Sequence, residues 1–142
     1  MTTERTYAMI KPDAVAAGHV GEIVAAIESS GLKIRALELM HLTPAQARGF
    51  YRVHVEKPFF PLLLEFMTSG PVVAMVLEGS AAITRWRALM GPTDPSRAEP
   101  EALRARFGTD ITRNAVHGSD AHDTADEEIA YMFGGRFLDG LV

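Results

Sequence analysis

Val72-Val73-Ala74-Met75-Val76-Leu77 is an unbroken apolar run bounded by Pro71 and Gly79, and it leaves this chain few folds to choose from. A strand of that kind has no polar face to give to water, so it belongs in the middle of a sheet with cover on both sides. Thr6 to Ile10, β-branched and aromatic and ending at Lys11-Pro12, reads as a second short buried strand. Ile34, Ala36, Met40 and Leu42 alternate with charged or smaller positions, while Leu37 and Leu39 place apolar groups on the opposite face. That strand needs a second cover, from a helix of the same chain or from another subunit.

The helices follow from spacing and from their ends. Val20, Ile23, Val24 and Ile27 repeat at helical intervals, and Gly31 follows Ser30 where a C′ glycine belongs, which gives a helix from Val20 to Ser30. Thr43-Pro44-Ala45-Gln46 places a capping threonine, a proline at the first helical position and a glutamine at the third. The helix it opens carries Tyr51 and His54. After Lys57-Pro58 a second segment with Phe60, Leu63, Leu64 and Met67 completes a helical hairpin. Ser80 is expected to cap a helix whose buried stripe is Ala82, Ile83, Trp86, Leu89 and Met90, with Arg85 and Arg87 on its flanks. Gly91 to Pro100 reads as a loop without regular structure, Glu101 to Arg106 as a short helix, and Ile111 to Val116 as a last strand. Asp123 to Phe133 then forms a helix buried through Ala125, Ile129, Met132 and Phe133. Strands separated by crossover helices in this order fit an α+β sandwich of the split βαβ kind, an antiparallel sheet with helices layered on it.

Composition narrows the class of function. At 142 residues the chain is expected to be one domain, 1–142, able to bury a core without staples. It has no cysteine, hence no disulfide framework and no thiolate metal site, which fits a reducing compartment. No run approaches the ~20 apolar residues of a membrane span and the N-terminus lacks an apolar leader core, so a cytoplasmic location is expected. A formal charge of −4 argues against nucleic acid as the main partner. Neither a Walker A sequence nor a dinucleotide fingerprint is present, so phosphate, if it is bound, must be bound by side chains.

Asn114-Ala115-Val116-His117-Gly118-Ser119-Asp120 sets a histidine between an amide and a hydroxyl–carboxylate pair, with Gly118 expected to give the backbone freedom. A neutral imidazole presents a lone pair and can form a covalent intermediate that a second acceptor resolves. Such a ring must be fixed through its other nitrogen, and Glu127 or Glu128 on the following helix can fold back to do so. A lone histidine in a turn is also a common structural residue, and spacing alone leaves both readings open.

The same stretch strongly resembles the active-site signature of nucleoside diphosphate kinases. Lys11 to Val15, Pro58-Phe59-Phe60, Thr68 to Val73, Leu77-Glu78-Gly79, Met90 to Pro95 and Arg113 to Asp120 resemble that family in its usual order, across nearly the whole chain. The resemblance implies a ferredoxin-like fold with a four-stranded antiparallel sheet. It implies transfer of the γ-phosphate of a nucleoside triphosphate to a nucleoside diphosphate through a phosphohistidine at His117. Glu128 and Ser119 would orient the ring, and Lys11 and Tyr51 would complete the catalytic set. Lys11, Phe59, Arg87, Thr93, Arg104, Ile111 and Asn114 would bind the nucleotide: Phe59 stacking on the base with Ile111 as the opposite wall, Lys11 and Asn114 on the sugar, and Arg87, Arg104 and Thr93 on the phosphates. The alternative for Phe59 is core packing beside Phe60, which ranks lower because two adjacent aromatics after a proline are hard to bury together.

Mg²⁺ is the expected cofactor, held by phosphates and water rather than by protein side chains. A homo-oligomer, tetramer or hexamer, is implied as well. The tail from Gly134 to Val142 matches no motif of the family and is a candidate for subunit contacts. Where the family usually has glycine and an acidic residue after its phosphate-binding arginine, this chain has Arg104-Ala105-Arg106, which puts the ion pairing near Arg104 in question. A ferredoxin-like module that binds nucleotide without turnover, and a binder of single-stranded nucleic acid, are the alternatives. The full set of catalytic positions argues against the first and the net charge against the second.

Overall fold

The computed structural model describes residues 3–134. Four strands, β1 (Thr3–Ile10), β2 (Lys33–Met40), β3 (Val72–Ser80) and β4 (Val116–Gly118), form one sheet in the order β2-β3-β1-β4. Every neighbouring pair is antiparallel, so β1 and β2 run the same way with β3 inserted between them. This is the split βαβ arrangement of a ferredoxin-like α+β sandwich. The helices are α1 (Pro12–Ala16), α2 (Val20–Ser29), α3 (Pro44–Phe50), α4 (Phe60–Met67), α5 (Ala82–Met90), α6 (Leu103–Phe107) and α7 (His122–Phe133).

The apolar run in β3 does what its composition demands. Val73, Met75 and Leu77 pack with Ala8 and Ile10 against Ile23 and Ile27 of α2 and Trp86 and Met90 of α5. Val72, Ala74 and Val76 pack with Tyr7 and Met9 against α3, α4 and α7 through Phe50, Phe60, Met67, Ile129 and Phe133. The period-two alternation of the central strands thus supplies two separate cores, one on each face of the sheet. Strand β2 lies at an edge, and its second apolar face keeps Leu37 50% and Leu39 63% exposed.

The helix ends agree with the sequence in two places. Thr43 accepts from Gln46 N–H at 3.1 Å while the Gln46 side chain accepts from Thr43 N–H at 2.9 Å, a complete capping box. Gly31, just beyond the Ser30 cap of α2, has φ +90°.

Elsewhere the structure corrects the sequence reading. Ser80 does not cap α5: it is the last residue of β3, Ala81 is the cap residue with φ +50°, and the acceptor for Ile83 N–H is the Glu4 carboxylate on β1, at 2.8 Å. β1 ends at Ile10, as Lys11-Pro12 led one to expect, but the chain then turns directly into α1, a helix the sequence reading lacked, because proline suits a first helical position as well as it ends a strand. Leu42 falls beyond β2 and is buried in the core under α3 and α4. Tyr51 follows α3, and His54 sits in a 3₁₀ turn, Arg52–His54. The loop from Gly91 contains another 3₁₀ turn, Pro95–Arg97, capped by Asp94.

The largest correction concerns the last strand, expected over Ile111 to Val116. Asp110 accepts from Thr112 N–H at 2.9 Å and from Arg113 N–H at 2.7 Å, curling this segment into turns, and Ala115 takes φ +73°. Only after that turn can the chain pair with β1, so β4 is short and His117 lies within it, opposite Met9. The tail beyond Gly134 lies outside the described residues.

Candidate active site

His117 points from β4 toward the layer of α3 and α7. Its Nε2 lies 3.2 Å and 3.3 Å from the two Glu128 carboxylate oxygens, and Ser119 Oγ donates to Glu128 Oε1 at 2.6 Å. The ring stands among aromatics: Phe50 meets it edge-on with centroids 5.3 Å apart, Tyr51 at 6.3 Å and Tyr7 at 6.1 Å. These walls leave a side chain that is 23% exposed, sheltered yet reachable. On the other face of the sheet the indole N–H of Trp86 donates to the His117 carbonyl at 3.2 Å.

Gly118 was read as a source of backbone freedom, and its role is different. It is not among the positive-φ residues, but a Cβ there would come within 2.6 Å of Trp86 and 2.7 Å of Met90. Glycine is needed for close approach to the α5 core. The strained backbone is at Ala115, which is fully buried with φ +73°. Val116 N–H donates to the Asn114 carbonyl at 2.9 Å, so the chain makes a γ-turn of the positive-φ kind centred on Ala115. Such a conformation costs an alanine about 1–2 kcal/mol and persists only where its surroundings hold it.

Lys11 is one of the groups that hold it. At the junction of β1 and α1, its Nζ donates to the Thr112 carbonyl at 2.7 Å and to Asn114 Oδ1 at 2.8 Å, and its own N–H donates to the Ala115 carbonyl at 2.8 Å. Burial pushes its ammonium down to about 8, with Asp13 opposing the change and Arg104 adding to it. The Asn114 amide in turn donates to the carbonyls of Thr93 at 3.0 Å and Ile111 at 3.2 Å. Four of the expected binding residues, Lys11, Thr93, Ile111 and Asn114, therefore share one hydrogen-bond hub.

The two arginines differ. Arg87 on α5 is exposed and pairs with Asp120 at 2.7 Å. Arg104 on α6 is 9% exposed, and its two terminal nitrogens donate to the carbonyls of Gly91 and Val116, each at 2.9 Å. Burial, with a smaller contribution from Arg87, pushes its guanidinium down to about 10. Arg104 has thus spent one N–H of each terminal nitrogen on backbone, and a second N–H remains on each. The cation at Arg106 does not crowd Arg104, since it lies over the Phe107 ring at 4.6 Å and 3.8 Å from Glu22.

Phe59 and Ile111 are 50% and 65% exposed, so neither is a core residue. Phe59 touches His54, with ring centroids 5.5 Å apart. The Tyr51 side chain is buried, and burial together with Glu128 pushes its hydroxyl well up. Among the described residues no three of His, Cys, Asp and Glu cluster as metal ligands. The groups gathered here are instead cationic and amide-rich, which suits an anionic ligand such as phosphate.

Sequence reasoning gives Phe50 and Tyr7 no place at the site, and it names Asp13, Asp120 and Trp86 without the contacts they make there. Helical spacing marks Trp86 as buried but does not say that its N–H reaches across to β4.

Fold and site together define a ferredoxin-like sandwich that presents a carboxylate-held histidine beside cationic side chains. The family model described as nucleoside diphosphate kinase matches residues 4–137. A nucleoside diphosphate kinase of Desulfovibrio desulfuricans is 59% identical over 132 residues, 93% of this chain and 95% of the relative. One from Chlamydia pneumoniae is 53% identical over 130 residues, 92% and 90% of the two chains. The solved structure of the Aquifex aeolicus nucleoside diphosphate kinase superposes with a TM-score of 0.91 at 47% identity, covering 94% of this chain and 97% of its own. That of the Halobacterium salinarum enzyme in complex with CDP gives 0.89 at 43% identity, covering 93% and 88%. The chain belongs to the nucleoside diphosphate kinase family.

Proposed function

We propose that this chain, as one domain, moves the γ-phosphate of a nucleoside triphosphate to a nucleoside diphosphate by double displacement at His117. Glu128 engages Nε2, so Nδ1 is the nitrogen that attacks. The bond from the γ-phosphorus to the β–γ bridging oxygen breaks as the N–P bond forms, and the diphosphate leaves with that electron pair. A second diphosphate then enters and the steps reverse. The observation that carries this reading is the Ser119–Glu128–His117 relay, which fixes the imidazole and supports the positive charge it gains. Arg87, the remaining N–H groups of Arg104 and the Thr93 hydroxyl offer donors for the phosphates, while for the sugar Lys11 offers a donor and Asn114 Oδ1, its two amide N–H groups already bonded, an acceptor. Mg²⁺, held by phosphate and water, would neutralise charge on the transferring group. Incubation with γ-labelled ATP tests the reading: the label should be acid-labile and base-stable, as an N-phosphoryl bond is, and an acid-stable label would overturn it.

Base recognition rests on the exposed face of Phe59 opposite Ile111. Every base has a π-face, whereas a site built to read base edges would leave buried polar groups unpaired with the wrong base. Purine and pyrimidine acceptors, ribo and deoxy, are therefore expected to differ by no more than about tenfold in kcat/KM, about 1.4 kcal/mol. A panel of diphosphates against ATP measures this, and a preference of about a thousandfold for guanine over cytosine would contradict it.

The protein is further proposed to be a homo-oligomer built from dimers, because Leu37 and Leu39 present an apolar face on an edge strand. Sedimentation at micromolar concentration should find no monomer peak, and a monomer would end the claim. Among the described residues no helix is long and apolar enough to cross a membrane. A cytoplasmic setting is proposed from that together with the absence of cysteine.

A further inference from the structure

Asp13 stands in the first turn of α1 and has no part in the chemistry described above. Its Oδ2 accepts from Ala115 N–H at 3.0 Å, while its Oδ1 is buried without a hydrogen-bond partner among the described residues. Burial works against ionisation of this carboxyl, with Lys11 and the N–H groups of Ala115, Ala14 and Asp13 opposing it, so a carboxylate placed here is a costly device for stability alone. Its hydrogen bond outside α1 falls on the residue with the strained backbone. Ala115 is gripped from both ends by the same corner of the chain, its carbonyl by Lys11 N–H at 2.8 Å and its N–H by Asp13. On either side of it stand Asn114, the hub of the sugar-side residues, and Val116-His117.

We propose that Asp13 is a positioning residue for phosphoryl transfer, its carboxylate holding the positive-φ turn at Ala115 that sets the register of Asn114 and His117. It touches neither phosphate nor base and acts through the backbone. The proposal rests on His117 being the nucleophile. The carboxylate also acts through charge, because it favours the ammonium form of Lys11 against the burial that disfavours it. Other charges bear on this pair. Arg104 disfavours the Lys11 cation and Asp110 favours it, and Glu65 and Arg113 line the cavity of about 270 Å³ beside Asp13.

Two variants separate these roles. Asp13→Ala removes both acceptor and charge, and the rate of His117 phosphorylation by ATP should fall by about thirtyfold or more, with KM for the nucleotide rising no more than about fivefold. Asp13→Asn keeps an oxygen that can accept from Ala115 N–H and should restore the rate at neutral pH to within about fivefold. Without the neighbouring negative charge, however, Lys11 loses its proton earlier, so the alkaline limb of the asparagine variant's pH–rate profile should move to lower pH. A merely structural role would not move that limb. The proposal is overturned if Asp13→Ala phosphorylates at the wild-type rate. It is equally overturned if the alkaline limb of Asp13→Asn superimposes on the wild type, a comparison that stands even if the alanine variant does not fold. Label persisting in His117→Gln would instead overturn the underlying assignment of the nucleophile.

Discussion

His117→Gln is expected to abolish the phosphoenzyme and to lower turnover by at least about ten-thousandfold, about 5 kcal/mol of barrier. Glutamine is close enough in size to fill the space between Phe50, Tyr51 and Tyr7, and its amide can still meet Glu128. It has no nucleophilic lone pair, so the covalent route is closed while the cleft is kept. Because Lys11, Asn114, Arg104 and Arg87 are anchored by contacts that do not involve the imidazole, the variant should still bind a nucleoside diphosphate with near wild-type affinity. Equilibrium binding and acid-quenched labelling on the same preparation check both halves. Labelled protein would move the nucleophile elsewhere, and lost binding would mean that the substitution had damaged the site as a whole.

Glu128→Gln should slow phosphorylation of His117 by about ten- to a hundredfold with little change in nucleotide affinity. Glu128 is 20% exposed and is held by Ser119 at 2.6 Å, so its carboxylate has a fixed position from which to meet Nε2. When Nδ1 becomes phosphorylated the ring gains positive charge, and the carboxylate stabilises that charge in a site that water only partly reaches. Glutamine keeps the hydrogen bond and loses the charge. Ser119→Ala removes only the support and should have the smaller effect. Single-turnover phosphorylation with a parallel Kd separates these outcomes, and a Glu128→Gln enzyme phosphorylated at the wild-type rate would remove the carboxylate from the mechanism.

Much of the fold was legible in the sequence because burial leaves a periodic trace. The apolar run at Val72–Leu77 has one stable place, at the centre of a two-faced sheet. The Thr43–Gln46 box and Gly31 follow from local hydrogen bonding and backbone sterics. What was not legible depends on contacts distant in sequence. The cap of α5 comes from Glu4 on β1, some eighty residues away, while the nearer Ser80 continues its strand. The turn at Ala115 carries no glycine to announce it. It is held by Lys11 and Asp13 at the end of the neighbouring strand β1, some hundred residues away in sequence, and it places the last strand several residues downstream, onto His117. Gly118 looked like a hinge because glycine often is one, yet the demand on it comes from the Trp86 ring. The candidate site was legible where chemistry requires a residue type, as with a histidine, its carboxylate and nearby cations. It was not legible in what those residues already hold: nothing in the sequence says that Arg104 latches Gly91 and Val116, or that Arg87 rests on Asp120.

A phosphoryl group that rests on His117 between two nucleotides is the centre of this mechanism, and a pulse–chase tests it most directly. The protein is charged with γ-labelled ATP, freed of nucleotide, and mixed with unlabelled GDP. The protein should lose its label within the mixing time of the experiment, and the label should reappear as the γ-phosphate of GTP, one for one. Label that stays on the protein, or that leaves only as inorganic phosphate, would contradict it.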